Sequence, residues 1–135
     1  MSFVLDASVA LAWVLPAEDS EHAAALLSRL AAEGAVVPEV WPLEVANVLV
    51  VARRRGRLDA LEVKRAVGAL LALPIEVDPE THRQALGTIL ELAASQQLSA
   101  YDAAYLELAQ RRGLALATLD ARLRSACEGT GIEVI

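Results

Sequence analysis

The sequence predicts an α/β fold of three layers, a mainly parallel sheet of five strands flanked by about seven helices. Three observations predict it. Five short runs, Phe3–Asp6, Ala35–Val37, Ile75–Val77, Ala115–Thr118 and Glu133–Ile135, are mostly apolar without alternation, as strands covered on both faces should be. Helical spacing fills the gaps between them, the alternation that parallel strands require. The 135 residues suit one domain with one core, and no linker, repeat or low-complexity stretch divides them. A single domain over 1–135 is expected.

Taken in order, Phe3–Asp6 leads to a helix begun at Val9, with Ser8 a candidate cap. A helix from Ser20 to Glu33 carries Leu26, Leu27 and Leu30 and stops at Gly34. After Ala35–Val37, a helix runs from Pro42 to Arg55 and stops at Gly56. Asp59-Ala-Leu-Glu62 has the form of a capping box and opens a helix through Leu71. Beyond Ile75–Val77, Asp78-Pro79 offers an N-cap and a proline at the first helical position, ahead of a helix to about Ser95. The helix from Ala100 ends in Arg111-Arg112-Gly113 and leads into Ala115–Thr118. A last helix, Ala121 to Cys127, precedes Glu133–Ile135.

Composition removes several classes of function. Hydrophobic residues make up 56% of the chain and mean hydropathy is +0.42, which argues against disorder. No apolar run reaches the ~18 residues that span a bilayer, and Phe3–Leu5, cut short by Asp6, is too brief for a secretion signal. A cytoplasmic protein without membrane contact is expected. The lone Cys127 can form neither an internal disulfide nor a cysteine zinc site, and His22 and His82 have no ligand spacing. Any metal site must use oxygen, which favours magnesium or manganese. The net charge of −6 opposes a broad electrostatic grip on nucleic acid.

Four acids stand at strand–helix junctions: Asp6, Glu44, Asp102 and Asp120. Asp6 ends the first strand and Asp120 follows the fourth. Glu44 opens the helix after the second strand. Asp102 opens the helix that runs back into the fourth, so its N-terminus lies at the strands' carboxyl edge. All four therefore gather at the edge where ligands bind in such sheets. Carboxylates so gathered repel one another, and a divalent cation relieves the repulsion. Each acid also has a structural reading. Ser99-x-x-Asp102 fits a capping box, Asp120 an N-cap, Glu44 a helix dipole and Asp6 a local turn. Glu44 and Asn47 are the two polar residues in the run Leu43 to Ala52 and share a helix face, so Asn47 is a candidate to orient Glu44. Ser8 and Thr118, each two residues from an aspartate, are candidates to support a carboxylate. Arg53-Arg54-Arg55-Gly56-Arg57 reads first as a basic last turn with its cap, and Arg111 and Arg112 belong at the edge opposite the acids. Trp13 and Trp41 read as core or interface anchors.

Val4-Leu-Asp6-Ala-Ser8, Glu44-x-x-Asn47, Tyr101-Asp102-Ala-Ala-Tyr105 and Thr118-Leu-Asp120, in this order and spacing, resemble the PIN-domain family, especially its VapC-like toxin ribonucleases of type II toxin–antitoxin pairs. The resemblance covers essentially the whole chain. It implies a Mg²⁺- or Mn²⁺-dependent endoribonuclease acting on structured RNA such as transfer or ribosomal RNA, a cognate antitoxin and a homodimer. It makes Asp6, Glu44 and Asp102 the core catalytic and metal-binding acids, Asp120 the more variable fourth, and Ser8 and Thr118 their support. Two alternatives remain. A degenerate PIN fold could serve as a binding module. A phosphatase-like hydrolase could use Asp6 as nucleophile, although Ser8 stands where a second aspartate belongs and Lys64 is the only lysine.

Overall fold

The computed structural model describes residues 2–15 and 20–135. Strands β1 (Phe3–Leu5), β2 (Ala35–Val37), β3 (Ile75–Val77) and β4 (Leu116–Ala117) form one sheet in the order β3-β2-β1-β4. Every pairing is parallel, with Val4 opposite both Val36 and Leu116. The expected fifth strand is not one. Residues 133–135 make a single bridge, Val134 to Leu116. The reason is the length of β4, which spans two residues before Thr118 turns toward Asp6, leaving little ladder to pair against.

The helices are α1 (Ala7–Val14), α2 (Glu21–Glu33), α3 (Trp41–Arg54), α4 (Ala60–Leu71), α5 (Thr81–Gln84), α6 (Leu90–Gln96), α7 (Ala100–Arg112) and α8 (Ala121–Thr130). A π-helical turn, Ala85–Ile89, joins α5 to α6 without a break, giving seven helical segments among the described residues. Phe3, Val4 and Leu5 are all fully buried, so helices cover both faces of the sheet and the layers number three. The centre of the core is α7, on which Ala103 to Ala109 are buried in succession. Each large apolar side chain buried there contributes about 1.5–3 kcal/mol. Trp13 donates from Nε1 to the carbonyl of Ala23 (2.7 Å), tying α1 to α2. No helix among the described residues is long and apolar enough to cross a membrane.

Two expected helix starts move. Helix α1 begins at Ala7, not Val9, with Asp6 at the N-cap position and Val9 N donating to the Asp6 carbonyl (3.1 Å). Helix α5 begins at Thr81, because Asp78 has other partners. Its carboxylate accepts from Arg111 (2.7 and 3.1 Å), from Arg112 (2.9 Å) and from Glu80 N (3.1 Å). Arg111 also bonds Glu107 (2.7 Å). The two arginines therefore reach the residue that follows β3 instead of lying at the edge opposite the acids.

Candidate active site

Asp6 leaves the ladder by donating its N–H to the carbonyl of Ala117 (3.0 Å). Its side chain is only 5% exposed and caps nothing. Instead its Oδ2 accepts from Ser8 Oγ (2.6 Å) and Thr118 Oγ1 (2.7 Å). Each hydroxyl accepts in turn from the next loop, Ser8 from Leu119 N and Thr118 from Asp120 N (both 3.0 Å). This chain of bonds locks the β1–α1 turn to the β4–α8 turn. Ser8 is thus no helix cap, and both hydroxyls support Asp6. Burial raises the Asp6 pKa above the ordinary carboxylate value; the two hydroxyls and the Ala7 amide pull it down, and the charge of Asp120 pushes it up.

Glu44 sits half-buried in the first turn of α3, where Tyr105 donates its hydroxyl to Oε1 (2.6 Å). Burial raises the Glu44 pKa; the Tyr105 bond opposes this, and the charges of Asp6 and Asp102 add to it. Tyr105 is completely buried on α7, three residues after Asp102 and on the same face. Burial pushes its own hydroxyl well above the ordinary tyrosine value, so it stays a proton donor. In the sequence Tyr105 belongs to the Tyr101–Tyr105 motif but carries no assigned role. The available signal was a tyrosine inside an apolar helix, whose hydroxyl must find a partner. Asn47 is exposed and makes no hydrogen bond to a described residue. Tyr105→Phe keeps the ring and frees Glu44. We expect it to weaken manganese binding by about 10–100-fold while metal-free melting changes little, as calorimetric titration and thermal melts would show.

Asp102 opens α7 beside Ser99, whose hydroxyl accepts from Asp102 N (3.1 Å). At Asp59–Glu62 the capping box closes in both directions. At Ser99–Asp102 the side chain of Ser99 alone does the capping. Burial again raises the Asp102 pKa, followed by the charges of Asp120 and Asp6; Ser99 and Arg122 oppose the rise. Asp120 does fulfil its structural reading. Its Oδ1 caps α8 by accepting from Arg122 N (2.9 Å) and Leu123 N (3.1 Å).

The four acids thus act on one another electrostatically at one edge of the sheet. Among the described residues no three of them are already gathered tightly enough to coordinate one ion. The donor set nevertheless fits a hard divalent cation: oxygen atoms alone, partly desolvated, with excess negative charge. The raised carboxylates set a pH dependence. A carboxylate whose folded pKa is raised lends its stability at low pH and loses it as pH climbs through that pKa. Metal-free protein should therefore melt higher as pH falls from about 7 toward about 5. Melting curves in EDTA across this range check it, and a flat or falling melting point contradicts it.

The PIN domain family model matches residues 3–129. The chain is 32% identical over 123 residues to Ribonuclease VapC3 of Pyrobaculum aerophilum, covering 91% of this chain and 92% of that one. It is 34% identical over 125 residues to Ribonuclease VapC3 of Mycobacterium tuberculosis, covering 91% and 85%. Among solved structures, PAE2754 from Pyrobaculum aerophilum superposes with a TM-score of 0.69 at 24% identity, over 93% of this chain and 84% of that one. FitAcB from Neisseria gonorrhoeae gives 0.67 at 18%, over 100% and 96%. These two likenesses concern the fold, whereas the family model spans all four acids and the ribonucleases match over 91% of the chain, and together these establish that this chain belongs to the PIN-domain family.

Proposed function

We propose that this protein is a metal-dependent endoribonuclease that cleaves structured RNA, and that it is the toxin of a toxin–antitoxin pair. The observation that carries the reading is the gathering of Asp6, Glu44, Asp102 and Asp120 at one sheet edge, with Ser8, Thr118 and Tyr105 bonded to two of them. The ribonuclease names of two relatives support it. Asp6, Glu44, Asp102 and Asp120 would hold magnesium or manganese, which when bound lowers the pKa of an attacking water and stabilises the leaving oxygen. Ser8 and Thr118 keep Asp6 oriented, and Tyr105 keeps Glu44 oriented while opposing the rise that burial gives its pKa. Asn47, exposed on the same helix face as Glu44, is free to meet substrate. Histidine chemistry on the RNA 2′-hydroxyl has no support, because His82 bonds Glu39 (2.9 Å) and His22 is exposed in α2. The products would then carry 5′-phosphate and 3′-hydroxyl ends.

The phosphatase-like alternative is weakened by the same geometry. Ser8 is committed to Asp6, and Lys64, exposed on α4, is not among the charges that act on Asp6. An antitoxin and a second copy of the chain are the proposed partners, in the cytoplasm. The indole N–H of Trp13 is taken by the Ala23 carbonyl, and an apolar cavity of ≈ 300 Å³ between α3, α4 and β3, with Leu71 and Val77 at its rim, is one surface open to a partner. The test is RNA incubated with the purified protein in EDTA, magnesium or manganese. Cleavage only with metal, leaving 5′-phosphates, supports the reading. Equal cleavage in EDTA contradicts metal dependence, and no cleavage under any condition favours a binding module.

A further inference from the structure

A chain of net charge −6 must hold a polyanion with a few well-placed cations. Five of the eleven arginines are already engaged among the described residues. Arg29 pairs with Glu33 (2.7 Å), Arg83 with Glu80 (3.5 Å), and Arg111 and Arg112 with Asp78 (2.7 and 2.9 Å). Arg124 donates to the carbonyl of Thr118 (3.0 Å). Of the other arginines, two border the acids. Arg57 lines a cavity of ≈ 390 Å³ together with Ser8 and Asp120, against an apolar wall that includes Leu11 and Val48. Arg122, whose charge acts on Asp102, lines a second cavity of ≈ 580 Å³ with Gln96, Gln97 and Ser125. Asp120 stands between them, lining the first and capping the helix turn that carries Arg122. Both volumes lie within the roughly 300–1,000 Å³ of small-ligand sites.

We infer that an unpaired RNA strand, such as the loop of a folded RNA, crosses the acidic edge from the Arg57 cavity to the Arg122 cavity, one nucleotide seated in each. The inference rests on the ribonuclease reading above and deepens it. A guanidinium on each side pairs with a phosphate in a two-pronged contact. The phosphate between them then lies over Asp6, Asp102 and Asp120. The two cavities differ in chemistry. The first offers an apolar wall against which any base can pack. The second offers the amides of Gln96 and Gln97, which can hydrogen-bond a base edge, so base preference should reside on that side. The Arg53–Arg57 run thereby divides: Arg57 meets substrate, while Arg53 and Arg54 form a basic last turn of α3.

The experiment measures binding of a fluorescein-labelled twelve-nucleotide mixed-sequence RNA to the full chain by anisotropy in EDTA, over a range of salt, with a parallel cleavage assay in manganese. We expect Arg57→Ala and Arg122→Ala each to weaken binding about five- to tenfold and to lower the salt slope by about 0.7–1. Arg57→Lys should recover part of the loss. Arg53→Ala and Arg54→Ala should bind as wild type, and melting points show that each variant is folded. Wild-type affinity in both cavity variants, a larger loss in Arg53→Ala, or no binding of the probe by wild type overturns the path. Cleavage in manganese by wild type separates that failure from a failure of the ribonuclease reading, which would show no cleavage at all.

Discussion

Asp6→Asn should reduce RNA cleavage by at least about a thousandfold, the loss of several kcal/mol of metal-assisted stabilisation of the transition state. Asp6 has the strongest claim of the four acids. It is 5% exposed, and Ser8 and Thr118 both donate to its Oδ2. Asparagine has the same shape, and its carbonyl oxygen can take both hydroxyl bonds, so the lock between the two turns should survive. The variant removes one charge from a cluster in which Asp120 already pushes against Asp6. It should therefore melt no lower than wild type in EDTA, and by the sign of the shift it should melt higher at neutral pH. Cleavage rates in manganese and melts in EDTA, on the same preparations, separate catalytic loss from unfolding. A folded Asp6→Asn protein that cleaves at the wild-type rate would remove Asp6 from the reaction.

The location of the acids was legible in the sequence because it follows from connectivity alone. A residue that ends a parallel strand, or opens a helix running back into one, must lie at the carboxyl edge. What those acids bond to was not legible. Ser8 looks like a cap from its neighbours, yet its hydroxyl bonds Asp6 two residues back and accepts from Leu119 N, 111 residues away. Tyr105 reaches Glu44 across 61 residues of sequence. Asn47 was a candidate to orient Glu44, yet it is exposed, as is Leu43 at 73%, so α3 carries apolar residues on its outer face. Asp78-Pro79 carried a strong local helix-start signal, which two arginines more than thirty residues away override. Local capping was read well where no distant partner competed, as at Asp59 and Glu62. The fifth strand failed on length, since a β4 of two residues leaves room for a bridge and no more.

Asp78→Ala should destabilise the protein by about 3 kcal/mol, lowering the melting point by roughly 10 °C. Asp78 is 1% exposed, and Arg111 and Arg112 converge on it from the last turn of α7. Burial alone would raise its pKa, but hydrogen bonds from the two arginines outweigh burial and hold it at about 2. A carboxylate lowered in this way lends stability above its unfolded pKa and loses it as pH falls through the folded value. The variant leaves two guanidinium groups facing an empty anion position beside Glu107, itself nearly buried. Because the arginines keep partial access to water, the cost belongs at the lower end of the range for broken buried pairs. The consequence reaches the active site, because α7 carries both Asp102 and Tyr105. Urea unfolding at neutral pH checks the magnitude, and a loss below about 1 kcal/mol would mark the cluster as a solvated surface pair.

The most direct test of the central claim, that these acids form one divalent-metal site, is a manganese titration of metal-free wild type and Asp102→Asn, followed by melting with and without the ion. The account predicts that wild type binds manganese and that at ten times the dissociation constant it gains about 1.4 kcal/mol, or about 3–6 °C. It predicts that Asp102→Asn, relieved of one charge, melts higher than wild type in EDTA and gains less from manganese. If Asp102→Asn instead melts lower in EDTA and manganese moves neither protein, Asp102 serves only the start of its helix and the acidic edge is not a metal site.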